Sequence, residues 1–191
     1  MLGLKLATDP RWVNLAEKSI EEILTDHAYC EQKATSACIS LIQLFPDKTY
    51  MVDKLVPVVQ EEWMHFKLVL DELKKRNLKL GQQRKDEYVN ALLKFITNSR
   101  EKILLDRLLM SGLIEARSCE RFRLLSLEIS DDSLKQFYHN LMRAEALHYR
   151  MFLDIAEQYY PKDKVRKRWE EWLSFETKVL KAIELRGDRM H

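Results

Sequence analysis

EEWMHFKLVLDEL, Glu61 to Leu73, carries a glutamate and a histidine three residues apart, Glu62 and His65, inside an otherwise amphipathic helical pattern. Three residues correspond to about 300° of helical turn, so the two side chains are neighbours on one face, at the spacing of a metal-binding pair. EALHYRMFLDIA, Glu145 to Ala156, repeats the arrangement with Glu145 and His148. A single Glu-x-x-His arises readily by chance or as surface charge; a repeated one demands a cause.

Working outward, Glu31 precedes Glu62 by 31 residues and Glu115 precedes Glu145 by 30. The chain therefore repeats a unit of Glu, turn, Glu-x-x-His, with Glu31 in CEQKATSACISLI and Glu115 in IEARSCERFRLL, both helical in pattern and flanked by small residues. Four carboxylates and two imidazoles inside a four-helix bundle are the ligand recipe of ferritin-like di-iron or di-manganese sites. Carboxylates offset the charge of two cations and can bridge them, while one neutral imidazole per metal leaves coordination positions open. Without metal, the same groups would bury several carboxylates lacking counter-ions, at a cost on the order of several kcal/mol each.

Glu120 competes with Glu115, but it would shorten the second unit to 25 residues and break the symmetry, so Glu115 is preferred. His27, one turn before Glu31, reads equally well as a partner of that carboxylate and as an ordinary half-buried histidine. Glu61 reads as a solvated surface glutamate ahead of an acceptor for an imidazole. Asp71 and Asp154 match between the halves but fall opposite their Glu-x-x-His pairs by helical angle, which makes them packing or salt-bridge residues.

The rest of the chain supports an all-α reading. A length of 191 residues suits one buried core, hence a single domain over 1–191, and only four glycines and four prolines argue against a turn-rich β architecture. Asp9-Pro10 opens a helical pattern to about Leu44 with a break near Lys18, and Phe45-Pro46-Asp47 ends it. Further helices are expected at Val52–Arg76, with Pro57 tolerable near the first turns or as a kink, and at Arg100–Ile129. Two more follow, from the Ser130-Asp131 cap to Tyr160 and from Asp163 to Arg186. Between the second and third lies a long connection, a loop over Asn77–Lys85 followed by a short helix in DEYVNALLKFIT. A long middle joint permits the single crossover of a ferritin-like four-helix bundle, here with an additional C-terminal helix.

Thirty-two basic against 30 acidic residues leave a formal net charge of +2, so nucleic-acid affinity must come from local patches. KDKVRKR, Lys162 to Arg168, followed by Trp169 and Trp172, offers cationic and stacking groups in one helix; Lys74, Lys75, Arg76, Arg84 and Lys85 form a weaker cluster. Cys30, Cys38 and Cys119 form no CxxC and are odd in number, which suits buried thiols in a reducing cytoplasm. No membrane-length apolar run and no signal-peptide pattern is present in the sequence.

DHAYCEQKA (Asp26–Ala34), EEWMHF, IEARSCERF (Ile114–Phe122) and AEALHY (Ala144–Tyr149) resemble motifs of the bacterial tRNA-modifying di-iron monooxygenases known as MiaE. The similarity spans most of the chain and thins after about Tyr160. It implies an enzyme that hydroxylates the isopentenyl group of 2-methylthio-N6-isopentenyladenosine beside the tRNA anticodon, with dioxygen, two Fe ions and electrons from an external reductase. It further implies Glu31, Glu62, His65, Glu115, Glu145 and His148 as iron ligands, with Glu62 and Glu145 bridging. tRNA and the reductase are then the partners, without membrane or DNA. The competing expectation is a ferritin-like or rubrerythrin-like iron-handling or peroxide-scavenging protein, which should show a cage assembly signal or a rubredoxin-type cysteine pair; neither is in the sequence.

Overall fold

The computed structural model describes residues 2–97, 99 and 102–191. Among them are helices α1 (Arg11–Glu17), α2 (Ile20–Leu44), α3 (Thr49–Lys75), α4 (Glu87–Leu93), α5 (Ile103–Glu128), α6 (Asp132–Tyr159) and α7 (Lys162–Ala182), and no strand. The all-α expectation holds.

Four long helices form the bundle. α2 packs along α3 and α5 along α6, each pair joined by a short turn. The N-terminus of α3 meets the C-terminus of α6, where the Met51 amide donates to Tyr159 Oη at 3.1 Å. At the other end Arg76, just after α3, pairs with Asp131, just before α6, at 2.7 Å. α3 and α6 are therefore antiparallel, and the 76–102 connection carries the chain back across the bundle, so that α3 and α5 run the same way. This is the single crossover anticipated from the long middle joint.

Caps explain several boundaries. Asp131 accepts from the amides of Ser133 and Leu134 at the start of α6, and Asp86 accepts from Val89 N at the start of α4. The break near Lys18 is real, separating α1 from α2. Two boundaries differ from the sequence reading. α3 begins at Thr49, earlier than Val52, which puts Pro57 inside a continuous helix at the loss of one backbone bond. α7 stops at Ala182 instead of Arg186, because Ile183 turns to extended backbone and the following residues fold back onto the bundle. In that return Gly187 lies so close to the Leu15 backbone that a Cβ could not be accommodated. The Arg100 start expected for α5 lies outside the described residues.

Two apolar clusters fill the bundle. One, with Leu41, Met51, Leu55, Leu105, Leu109 and Trp172, occupies one end; the other, with Trp12, Leu24, Val69, Leu73, Phe122 and Tyr138, occupies the opposite end. Polar groups are gathered between them. Among the described residues no helix is long and apolar enough to cross a membrane.

Candidate metal centre

Between the two apolar clusters each bundle helix contributes to one polar layer: α2 supplies Glu31, α3 Glu62 and His65, α5 Glu115, and α6 Glu145 and His148. None of the six is more than 6% exposed. Helical spacing does the local work, since residues i and i+3 on α3 and again on α6 point to the same side. Gly112 allows α5 and α6 to approach closely, because a Cβ there would stand only 3.3 Å from Phe152 Cβ.

The six side chains form two overlapping constellations, Glu31, Glu62, His65 and Glu145 in one, and Glu62, Glu115, Glu145 and His148 in the other. Within each, one donor atom per residue lies within 4.8 Å of the rest, and each could hold a metal ion. Glu62 and Glu145 belong to both. His65 Nδ1 stands 3.5 Å from Glu62 Oε2 and 3.7 Å from both Glu31 Oε2 and Glu145 Oε1. His148 Nδ1 lies 2.8 Å from Glu62 Oε1 and 3.8 Å from Glu145 Oε2. The two imidazole rings are 6.0 Å apart.

These proximities are not hydrogen bonds. Both carboxylate oxygens of Glu62 and of Glu145, and Nδ1 of both histidines, are buried without a hydrogen-bond partner, and even the 2.8 Å approach is misaligned for one. Buried polar atoms are ordinarily satisfied, so a converging set left open is unusual. A pair of divalent cations fits this donor set: four carboxylates balance their charge, and in each constellation the donor atoms lie within 4.8 Å of one another.

Electrostatics agree with that fit. Burial, reinforced by neighbouring carboxylates, pushes the Glu115 carboxyl well above its ordinary range; burial also drives Glu31 up, against its contact with His65. For Glu62 burial works in the same direction, but contacts with His148 and His65 outweigh it and hold the carboxyl low. Burial disfavours the charged imidazoles, yet the surrounding carboxylates prevail and raise His65 to about 10 and His148 to about 11. The metal-free cluster thus neutralises itself with protons, which cations must displace on binding.

Two further residues hold the donors in place. His27 Nε2 is 2.6 Å from Glu31 Oε1, with its ring packed against Phe122 and Tyr138, and burial lowers its pKa to about 3. Of the two readings of His27, the partner of Glu31 is the one the geometry gives. His148 Nε2 is 3.1 Å from Glu61 Oε2. Glu61 is therefore both a surface residue, with its side chain 48% exposed, and an imidazole acceptor. Its position, one residue ahead of Glu62 and facing the next helix, was the available signal.

Glu120 is directed elsewhere: it binds the Thr8 amide and hydroxyl and pairs with Arg117. Asp71 and Asp154 form surface pairs with Lys67 and Arg150. All three cysteines are free thiols, Cys38 and Cys119 buried.

The basic helix α7 requires a correction. Trp172 is fully buried and Trp169 only 8% exposed, so neither is free to stack on a base. Arg168 is also committed: Nε pairs with buried Asp106 at 2.6 Å, and the guanidinium covers the Phe95 ring at 4.4 Å. The periodic apolar face of α7 demanded these tryptophans as core, leaving Lys162, Lys164, Arg166 and Lys167 as exposed cations. Sequence reading also missed the C-terminal return, where Asp26 receives Arg189 Nη1 at 2.8 Å and the Met190 amide at 2.7 Å. That stretch has no periodicity to betray its docking.

A family model described as tRNA-(MS[2]IO[6]A)-hydroxylase (MiaE) matches residues 2–191. A relative from Pseudomonas putida, named tRNA 2-(methylsulfanyl)-N(6)-isopentenyladenosine(37) hydroxylase, is 34% identical over 152 residues, 80% of this chain and 74% of its own length. One of the same name from Salmonella typhimurium is 34% identical over 113 residues, 59% of this chain and 42% of its own. A solved structure described as protein 43 with aldehyde deformylating oxygenase activity, from Synechococcus, superposes with a TM-score of 0.94 at 33% identity, covering 98% of this chain and 94% of that one.

Proposed function

The chain belongs to the MiaE family, and from that premise we propose that it hydroxylates the isopentenyl group of 2-methylthio-N6-isopentenyladenosine in tRNA, beside the anticodon, at a carboxylate-bridged di-iron centre. The observation that carries the reading is the pair of four-residue constellations sharing Glu62 and Glu145. Glu31 and His65 would hold one iron, Glu115 and His148 the other, and Glu62 and Glu145 would lie between them.

Bound there, the irons supply dioxygen binding and the oxidising power for an unactivated C–H bond, with electrons from an external reductase. The protein's own residues have simpler tasks. His27 and Glu61 fix the orientation of Glu31 and His148, a role that typically matters about ten- to a hundredfold in metal affinity. The apolar clusters on either side exclude bulk water from the polar layer. A cytoplasmic setting follows from the tRNA substrate, whose anticodon loop presents its bases unpaired.

The test is nucleoside analysis of tRNA from cells lacking the protein. Loss of the hydroxylated nucleoside with accumulation of its prenylated precursor is expected; an unchanged nucleoside profile would overturn the proposal. The solved-structure match alone favours a second reading, deformylation of an aldehyde, and product analysis with the purified iron-loaded protein and an aldehyde distinguishes it. No observation favours iron storage.

A further inference from the structure

A cavity of about 80 Å³ lies on the α2 and α5 side of the bundle, beneath α4. Its lining includes exposed Ala37 on the outside and buried Glu115 at the metal cluster on the inside, so it spans the distance between solvent and the candidate iron site. Its walls are mainly apolar, formed by Ala34, Cys38, Met110, Ile114 and Phe152, with Ser111 as an exception. Charged groups stand near the outside: Lys33 and Asp86, both half-buried, form an ion pair there. His191 from the C-terminal return completes the lining, its ring 5.2 Å from that of Tyr88 and its Nε2 2.9 Å from Ser118 Oγ.

Size and polarity together select a ligand. At about 30 Å³ of liquid volume per water, the cavity has room for two or three water molecules. An aliphatic carbon takes roughly the volume of one water, so the cavity admits the branched far end of a slender aliphatic chain and excludes a purine. An apolar interior ending at a few polar groups is the pattern of a site that buries one part of a ligand and orients the rest.

Resting on the function proposed above, we infer that this cavity takes up the dimethyl end of the substrate's isopentenyl chain, while the purine stays outside against Lys33, Asp86 and His191. The chain's far end is thereby directed at Glu115 and the metal layer. Ala34 and Val89, on two different helices and both half-buried, set the width of the passage.

The experiment uses the full, iron-loaded protein. Anaerobic equilibrium dialysis measures binding of the free nucleoside 2-methylthio-N6-isopentenyladenosine and of adenosine, beside iron content, thermal midpoint and hydroxylation of prenylated tRNA. Ala34→Phe and Val89→Trp fill the cavity from opposite sides, so that misfolding of one leaves the other informative. The wild type should bind the prenylated nucleoside at least about tenfold more tightly than adenosine, given that a single methylene in an apolar pocket is worth about 10- to 200-fold. Each filled variant that keeps its iron and its thermal midpoint should lose about tenfold or more of that binding. Wild-type affinity and wild-type tRNA conversion in both folded variants would overturn the assignment of the cavity alone. Failure of the wild type itself to convert prenylated tRNA would overturn the proposed function, and this inference with it.

Discussion

His148 Nε2 and Glu61 Oε2 stand 3.1 Å apart, and because a carboxylate only accepts, the imidazole donates from Nε2 and leaves Nδ1 directed at Glu62 and Glu145. Glu61→Ala removes this orientation without disturbing the core, since the Glu61 side chain is 48% exposed. Metal affinity, measured by competition with a chelator, should fall by about ten- to a hundredfold. Glu61→Gln, which retains an acceptor oxygen, should lose less. Equal affinity in all three proteins would show that Glu61 is only a surface charge.

Glu115 and Glu120 are separated by function as well as by direction. Glu115→Ala should reduce reconstituted iron from two ions per chain to one, by metal analysis. Glu120→Ala should keep both, yet lower the thermal midpoint, because it leaves Arg117, fully buried, with Glu176 as its remaining carboxylate partner at 2.7 Å. Loss of one partner of a buried charged hydrogen bond costs about 1–3 kcal/mol. The reverse pattern would reassign the α5 ligand.

On α7 the exposed cations can now be told from the structural one. Arg166→Ala with Lys167→Ala should weaken tRNA binding and reduce the slope of log affinity against log salt by about 1.4, at about 0.7 for each single-strand phosphate no longer neutralised. Binding of the free nucleoside should be unaffected. Arg168→Ala should instead destabilise the protein, since it strips buried Asp106 of its cation. Filter binding across a salt series decides the first, thermal unfolding the second; an unchanged salt slope would move the RNA surface away from α7.

Burial lowers the His191 pKa to about 3, from an ordinary value near 6.5. The folded state therefore resists a proton that the unfolded chain accepts, so this residue's contribution is present above about 6.5 and is lost progressively as pH falls toward about 3. His191→Gln should flatten the decline of stability between about pH 6.5 and about pH 5 by about 1.5 kcal/mol, given about 1.4 kcal/mol per full pH unit of differential protonation. Denaturant melts of both proteins at each pH measure it; parallel curves would mean that His191 is solvated.

How far the sequence reached depended on periodicity. Glu62–His65 and Glu145–His148 were legible because a helix converts an i, i+3 spacing into one face, and the near-equal separations to Glu31 and Glu115 located the facing helices. The long joint around DEYVNALLKFIT disclosed the crossover. His27 remained ambiguous, since an i, i+4 pair with Glu31 is compatible with either surface or core. Trp169, Trp172 and Arg168 misled because a basic run beside aromatics looks the same whether the rings face nucleic acid or a core; burial against Asp106 and Phe95 is a tertiary fact. The return that brings His191 to the cavity has no periodic signal, and its anchors, Asp26 for Arg189 and Arg84 for Asp188, are distant in sequence.

The most direct test is hydroxylation of prenylated tRNA by the ferrous-reconstituted protein under isotopically labelled dioxygen, with a reductase system and mass analysis of the digested nucleosides. A prenylated adenosine that gains one oxygen atom, carrying the label from dioxygen, and only when iron is bound, is the predicted result. An unmodified nucleoside, or a hydroxyl whose oxygen comes from water, would contradict the account.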